Sequence, residues 1–230
     1  MTQTNSSSMT IHPIAIMRTG MTEKFGIPRQ GCLAPALQGT IVFEPEYRKD
    51  GILKGLEAYS HLWLIWGFSE NAEEPWNVTV RPPKLGGKKR LSVFATRSPL
   101  RPNSLGLSAV RLESLEQESS EGPVIHVSGV DLMDGTPIYD IKPYLPYADA
   151  ISEAKSGYAC PTAKLLEAVL PPTAKTIFSS AQLDALRQIL SCDPRPAFHH
   201  DPNREYRMSY EGHTIVFVVN EETLIVTDIL

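Results

Sequence analysis

HLWLIWGF, running from His61 to Phe68, is a short stretch dense in aromatic and β-branched side chains. Its length and composition read as a strand. Working outward, the same texture recurs in Ile14–Met17, Thr40–Phe43, Leu91–Thr96, Leu105–Leu112, Val124–Leu132 and Ile138–Ile141, each run punctuated by Gly or Pro. No helical pattern of convincing length separates these seven candidates. The spacing therefore predicts a mainly β fold whose sheet closes into a β-barrel, not alternating β-α units. The Pro-rich connections Arg81-Pro-Pro, Arg101-Pro-Asn and Lys142-Pro-Tyr belong to loops, since Pro cannot donate to a ladder.

After about Tyr158 the texture changes. Pro161, Pro171 and Pro172 interrupt the chain, and Ser179 with Gln182 three residues on forms a capping-box pattern ahead of Leu183, Leu186, Ile189 and Leu190 at helical spacing. Thr214–Val219 and Leu224–Ile229 flank Asn220-Glu221-Glu222 and read as a hairpin. The expected organisation is a flexible tail over 1–10, a barrel domain over 11–160 and a small α+β domain over 161–230.

At 230 residues and 25.5 kDa the chain is long enough to bury a core without disulfides. Cys32, Cys160 and Cys192 are odd in number, widely separated and without a C-x-x-C pair, which argues for reduced thiols and against a structural zinc site. His199-His200 with Cys192 is a poor ligand pattern, so no metal is expected. No apolar run reaches the ~18 residues that span a bilayer. MTQTNSSSMT lacks both the basic start and the apolar stretch of a secretory signal, so a cytoplasmic protein without a membrane partner is expected.

The net charge of −4 favours no nucleic-acid partner by itself. The average hides an asymmetry. Arg81, Lys84, Lys88, Lys89, Arg90, Arg97, Arg101 and Arg111 fall in one segment that holds no Asp or Glu. Such a block attracts phosphate or carboxylate within a Debye length of about 8 Å, although a solvated basic face fits the same count.

Neither G-x-G-x-x-G nor G-x-x-x-x-G-K-[ST] is present, and G-x-S-x-G and H-E-x-x-H are also absent. Three polar clusters stand where strands meet loops: Pro28-Arg29-Gln30, residues 95–106 and residues 131–144. Each is also a good turn former in any protein.

In chain order the motifs are K-F-G-I-P-R-Q (24–30), E-A-Y-S-H-L-W (57–63), R-P-P-K-L-G-G (81–87), F-A-T-R-S-P-x-R-P-N-x-x-G (94–106), D-L-x-D-G-T-P-x-x-D-I-K-P-Y-L-P (131–146) and D-P-R-P (193–196). This ordered set closely resembles the TsaA-like TrmO family of transfer RNA methyltransferases, from about Ile14 through Pro196. The resemblance implies a non-Rossmann β-barrel that binds S-adenosylmethionine and methylates N6 of N6-threonylcarbamoyladenosine, at position 37 beside the anticodon of tRNA. It also implies a homodimer. Carried over by position, the cofactor residues are Pro28, Arg29, Gln30, Arg97, Leu107, Asp131, Leu132, Met133 and Asp134. Where relatives are expected to carry His-Gln, this chain has Ser69-Glu70, a hydroxyl and an anion in place of a neutral donor pair. That carboxylate faces either the sulfonium or the solvent.

Arg97 or Arg29 suits the cofactor carboxylate through a paired, charge-assisted contact. Asp131 and Asp134 suit ribose hydroxyls or the amino group, and Leu107, Leu132 and Met133 suit the adenine, unless Leu107 and Met133 are simply core. A ureido nitrogen is a poor nucleophile until its proton leaves. Asp140, Lys142 and Tyr144 are therefore the expected catalytic groups, with pure proximity as the alternative. Lys84, Lys88, Lys89, Arg90 and Arg101 are placed to track anticodon-loop phosphates, with Tyr144, Tyr147 and Trp76 as stacking candidates. Arg195 contacts RNA or a partner barrel, or docks the small domain. A non-enzymatic sensor of adenosyl ligands or RNA, and a methyltransferase of another small acceptor, are the competing readings.

Overall fold

The computed structural model describes residues 8–71, 74–85, 89–159, 165–196, 199 and 201–230. In the first part of the chain the strands are β1 (Ala15–Thr19), β2 (Gln38–Phe43), β3 (His61–Gly67), β4 (Thr79–Val80), β5 (Leu91–Ser92), β6 (Leu105–Ser119), β7 (Gly122–Ser128) and β8 (Pro137–Pro143). Six of them close a barrel in the order β1-β2-β7-β6-β3-β8, every neighbouring pair antiparallel. The period-two rule is plain in β3, where Leu62, Leu64 and Trp66 are buried while Trp63 and Ile65 stay half-exposed on the outer wall. Met17, Ile41, Ile125, Leu132 and Ile138 fill the interior with them.

One expected barrel strand is not one. Of Leu91–Thr96 only Leu91–Ser92 is extended, and it pairs with β4 outside the barrel. The Ser92 hydroxyl accepts from the Phe94 N–H at 3.3 Å, giving the backbone a turn in place of a ladder, and Val93–Ala95 coil into a 3-10 turn. The run Val124–Leu132 also ends early, because Gly129 turns the chain at φ +70. β6 instead runs on to Ser119 as the polar arm of a hairpin with β7.

The remaining strands are β9 (Glu167–Val169), β10 (Tyr206–Tyr210), β11 (His213–Asn220) and β12 (Thr223–Ile229), and the helices are α1 (Pro146–Asp149), α2 (Ala174–Ile177) and α3 (Ser180–Ser191). β10-β11-β12-β9 form one sheet, with β9 parallel to β12. Both bonds of the capping box are made at the start of α3: Ser179 N–H to Gln182 Oε1 at 3.0 Å, and Gln182 N–H to Ser179 Oγ at 3.3 Å. Leu183, Leu186, Ile189 and Leu190 of α3 pack into the core beneath the sheet.

The excursion between β1 and β2 leaves the barrel and joins that second core. Met21, Ala34 and Leu37 are buried in it, with Phe25 and Ile27 packed alongside. Polar ties hold it there: Ala36 N–H donates to Gln188 Oε1 at 2.8 Å, and Glu211 N–H to the Gly20 carbonyl at 2.8 Å. The segment carrying Pro28-Arg29-Gln30 is therefore positioned by one core and inserted against the other.

Candidate functional site

Three of the cofactor candidates meet at the seam between the two cores. Asp131, just past the end of β7, accepts from Ser108 Oγ at 2.6 Å and from the Gly31 N–H at 3.2 Å. Arg97, carried beyond β5, donates through Nη1 to the Gln30 side-chain carbonyl. Burial pushes the Asp131 carboxyl above the ordinary carboxylate range, while the Ser108 hydroxyl, the Gly31 amide and the Arg97 charge oppose that rise. The close approach explains the glycines. A Cβ on Gly31 would stand 1.9 Å from the Gly129 carbonyl oxygen, so only glycine lets the 30–31 turn reach Asp131.

Neither Ser108 nor Trp66 stood out in the sequence. The Trp66 indole N–H donates to Ser108 Oγ at 3.0 Å, and both residues are buried. Trp66 lies flat on Gly106, where an added Cβ would come within 2.3 Å of its ring. The last glycine of F-A-T-R-S-P-x-R-P-N-x-x-G is thus a seat for that ring, the one signal that pointed toward this pair.

The other candidates spread over neighbouring surfaces. Leu107 is 54% exposed, on the outer wall beside the inward Ser108. It shares a rung with Ile65 and Asp140, and two rungs along, on the same face, stand Ala109, Trp63 and Lys142. Lys142 Nζ stands 2.9 Å from Asp140 Oδ2, and Asp140 Oδ1 accepts from the Ile141 N–H at 2.9 Å. Tyr144 packs on Trp63 with centroids 5.3 Å apart, and the Trp63 indole N–H donates to Asp149 Oδ2 at 3.0 Å. The catalytic candidates and Leu107 therefore share an outer face directly behind which the buried Ser108 holds Asp131.

The remaining cofactor candidates stand apart from that cluster. Leu132 is 1% exposed in the barrel core, so its side chain cannot cover an adenine. Met133 is half-buried and Pro28 buried, whereas Arg29 is exposed. Asp134 turns away toward β1, accepting from the Thr19 N–H at 3.1 Å and facing Arg18 Nη1 at 3.5 Å. Its carboxylate closes the 131–136 loop onto β1. Ser69 and Glu70 lie in an exposed 3-10 turn after β3.

The expected RNA cations are less free than a charge count implies. Arg101 Nη1 donates to the Thr96 and Ser98 carbonyls, both at 3.2 Å, and so braces its own loop. Arg195 is paired at both ends of its fork with Asp193, at 2.8 and 2.9 Å, on a side chain only 12% exposed, so it rigidifies the D-P-R-P turn. Arg90 pins Thr79 through Nε and Nη2 yet remains exposed, as does Lys89. The side chain of Lys84 and the whole of Lys88 lie outside the described residues. A depression of about 410 Å³ lined by Asn77, Thr79, Arg81, Arg90 and Ser98 marks the basic surface that remains.

A second, larger groove of about 880 Å³ lies between the barrel wall and the small sheet, lined among others by Arg18, Thr40, His126, Gln182 and Glu211. It contains none of Gln30, Arg97 and Asp131. Size alone would have selected it, but no convergence of the motif residues supports it.

The family model of the tRNA-methyltransferase O N-terminal domain matches residues 16–150, and that of the TrmO C-terminal domain matches residues 172–230. A tRNA (adenine(37)-N6)-methyltransferase from Escherichia coli is 35% identical over 229 residues, covering 91% of this chain and 97% of the relative. A Pyrococcus abyssi chain named "Probable S-adenosyl-L-methionine-binding protein" is 34% identical over 64% of this chain and 73% of its own length. The crystal structure of TrmO from Pseudomonas aeruginosa superposes with a TM-score of 0.79 at 32% identity, covering 99% of both chains. With its barrel, its second sheet and its motif residues gathered at the seam, this chain belongs to the TrmO family.

Proposed function

We propose that this protein is an S-adenosylmethionine-dependent tRNA methyltransferase acting on N6 of adenosine 37, with the N6-threonylcarbamoyl derivative as its acceptor. The observation that carries the reading is the convergence of Gln30, Arg97 and Asp131, from three distant motifs, on one seam of a TrmO-family chain.

The donor set fits the cofactor. Arg97 offers a guanidinium to its carboxylate, and Asp131 a half-dry acceptor to ribose hydroxyls or the amino group. When bound, S-adenosylmethionine supplies an electrophilic methyl carbon on a sulfonium. The protein's share is orientation and the fate of one proton. As the N6–methyl bond forms, the nitrogen must lose its hydrogen, and the exposed Asp140 carboxylate on the outer face has the chemistry to accept it, with Lys142 2.9 Å away to hold its position. Tyr144 on Trp63 offers an aromatic surface for a splayed base.

Arg81, Lys89 and Arg90 around the smaller depression are the footing for loop phosphates. Exposed Leu107, Tyr147 and Ile151 support pairing with a second copy. Among the described residues no helix is long and apolar enough to cross a membrane, and a tRNA substrate favours the cytoplasm.

The deciding experiment incubates the purified protein with methyl-labelled cofactor and tRNA bearing the threonylcarbamoyl modification, then digests to nucleosides for mass spectrometry. The expected product is that nucleoside with one added methyl. Cofactor binding without methyl in RNA would replace the proposal with the sensor reading.

A further inference from the structure

We infer that Ser108, oriented by the Trp66 indole, is the positioning residue of the cofactor site: it fixes the Asp131 carboxylate and, through Gly31, the Gln30–Arg97 pair. The inference rests on the reading that these three residues hold the cofactor. The links are continuous. Gly106 leaves room for the Trp66 ring, and Phe68 packs edge-on against it with centroids 4.4 Å apart. Trp66 N–H saturates one lone pair of Ser108 Oγ at 3.0 Å, which commits the Ser108 hydrogen to Asp131 Oδ1 at 2.6 Å. Asp131 Oδ2 is left to the Gly31 N–H at 3.2 Å, and Gln30, the next residue, accepts from Arg97.

A hydroxyl with a free rotor would hold a carboxylate in several ways. Here the indole removes that freedom, so the barrel wall itself sets the angle at which Asp131 meets a ligand. Without Ser108 the ionised form of Asp131 also loses its shortest hydrogen bond, and the Gly31 amide, its own backbone amide and the Arg97 charge are left to oppose burial.

The test compares Ser108→Ala, Ser108→Thr and Trp66→Phe with the parent for KM of the cofactor, kcat and melting temperature across a pH series. Losing a hydrogen bond to a charged group costs roughly tenfold in affinity. Ser108→Ala should therefore raise the cofactor KM about tenfold with a smaller change in kcat, and move the acid limb of affinity to higher pH. Ser108→Thr, which keeps the hydroxyl, should restore most of it, and Trp66→Phe should fall between. A KM unchanged at every pH while the melting temperature drops, or a Thr variant no better than Ala, overturns the inference. Arg97→Ala and Asp131→Asn, measured by direct cofactor binding, separate the two levels. If both bind normally the site reading fails; if both lose binding and Ser108→Ala does not, only the positioning role fails.

Discussion

Two aspartates near the β6-β3-β8 wall have opposite surroundings. Asp131 sits behind the barrel wall, bonded to Ser108 and Gly31 and pushed by burial toward its neutral form. Asp140 stands on the outer wall two strands away, its side chain 45% exposed and paired with Lys142 in water. A buried, prearranged acceptor loses little on binding a ligand in one orientation, because its ordering is already done in the fold. An exposed one is free to exchange protons with an acceptor and then with solvent. The difference teaches what each is suited to: the inner carboxylate to hold a ligand in one orientation, the outer one to take up a proton, as the proposed function requires.

The largest effect should come from removing the cation of the inner site. Arg97→Ala deletes a charge-assisted contact and leaves Asp131 without its one opposing positive charge. A loss of about 100-fold in kcat/KM, carried mainly by cofactor KM, is expected from steady-state assays, in line with ~3 kcal/mol for truncating such a contact. Next comes the seat of the inner site. In Gly106→Ala the new methyl would collide with Trp66, whose ring is backed by Phe68, so overpacking by about 2 kcal/mol is expected. Chemical denaturation measures it, and a neutral result would mean that the indole has room to move and does not fix Ser108.

Much of this was legible beforehand, and the rest was hidden for identifiable reasons. Six barrel strands announced themselves through short runs of β-branched and aromatic residues bounded by Gly or Pro, and α3 through its capping box. The strand expected over Leu91–Thr96 failed because hydrophobic content cannot report that Ser92 caps its own turn. β9 and β10 went unread because Glu167–Val169 is short and because Tyr206–Tyr210, which alternates Tyr206, Met208 and Tyr210 with Arg207 and Ser209, carries a period-two signal that a reading by dense apolar runs passes over. At the site, charged residues were found from their motif but their partners were not. A sequence counts Arg101 and Arg195 as cations, whereas the fold commits them to the Thr96 and Ser98 carbonyls and to Asp193. Ser108 gave no signal, because an inward hydroxyl becomes meaningful only when Trp66 arrives from β3 and Asp131 from the loop after β7.

The outer carboxylate has its own test. The Lys142–Asp140 pair is solvent-exposed on both sides, and such pairs contribute little, so Lys142→Ala should change unfolding free energy by less than about 0.5 kcal/mol. Single-turnover methyl transfer should nevertheless slow about tenfold if Lys142 holds Asp140 for proton acceptance, a modest share of the range for acid–base assistance. Unchanged single-turnover rates would assign the chemistry to proximity alone.

The smallest expected effect is the most diagnostic for the inner one. Burial raises the folded-state pKa of Asp131 above its unfolded value. The folded protein therefore keeps that proton to higher pH than the unfolded chain does, and in the window between the two values stability falls as pH rises. Below the ordinary carboxylate value of about 3.9 the cost is absent; above the raised folded value it is complete. Asp131→Asn has no proton to lose, so this cost does not arise in it, although its amide meets the Gly31 N–H less well than a carboxylate oxygen does. That mismatch is constant with pH. Denaturation of both proteins over a pH series should therefore show the Asn variant improving relative to the parent as pH rises through the carboxylate range, then running parallel to it. A constant difference at every pH would mean that Asp131 is as well solvated as Asp140, and the contrast between a holding and a reacting carboxylate would lose its physical basis.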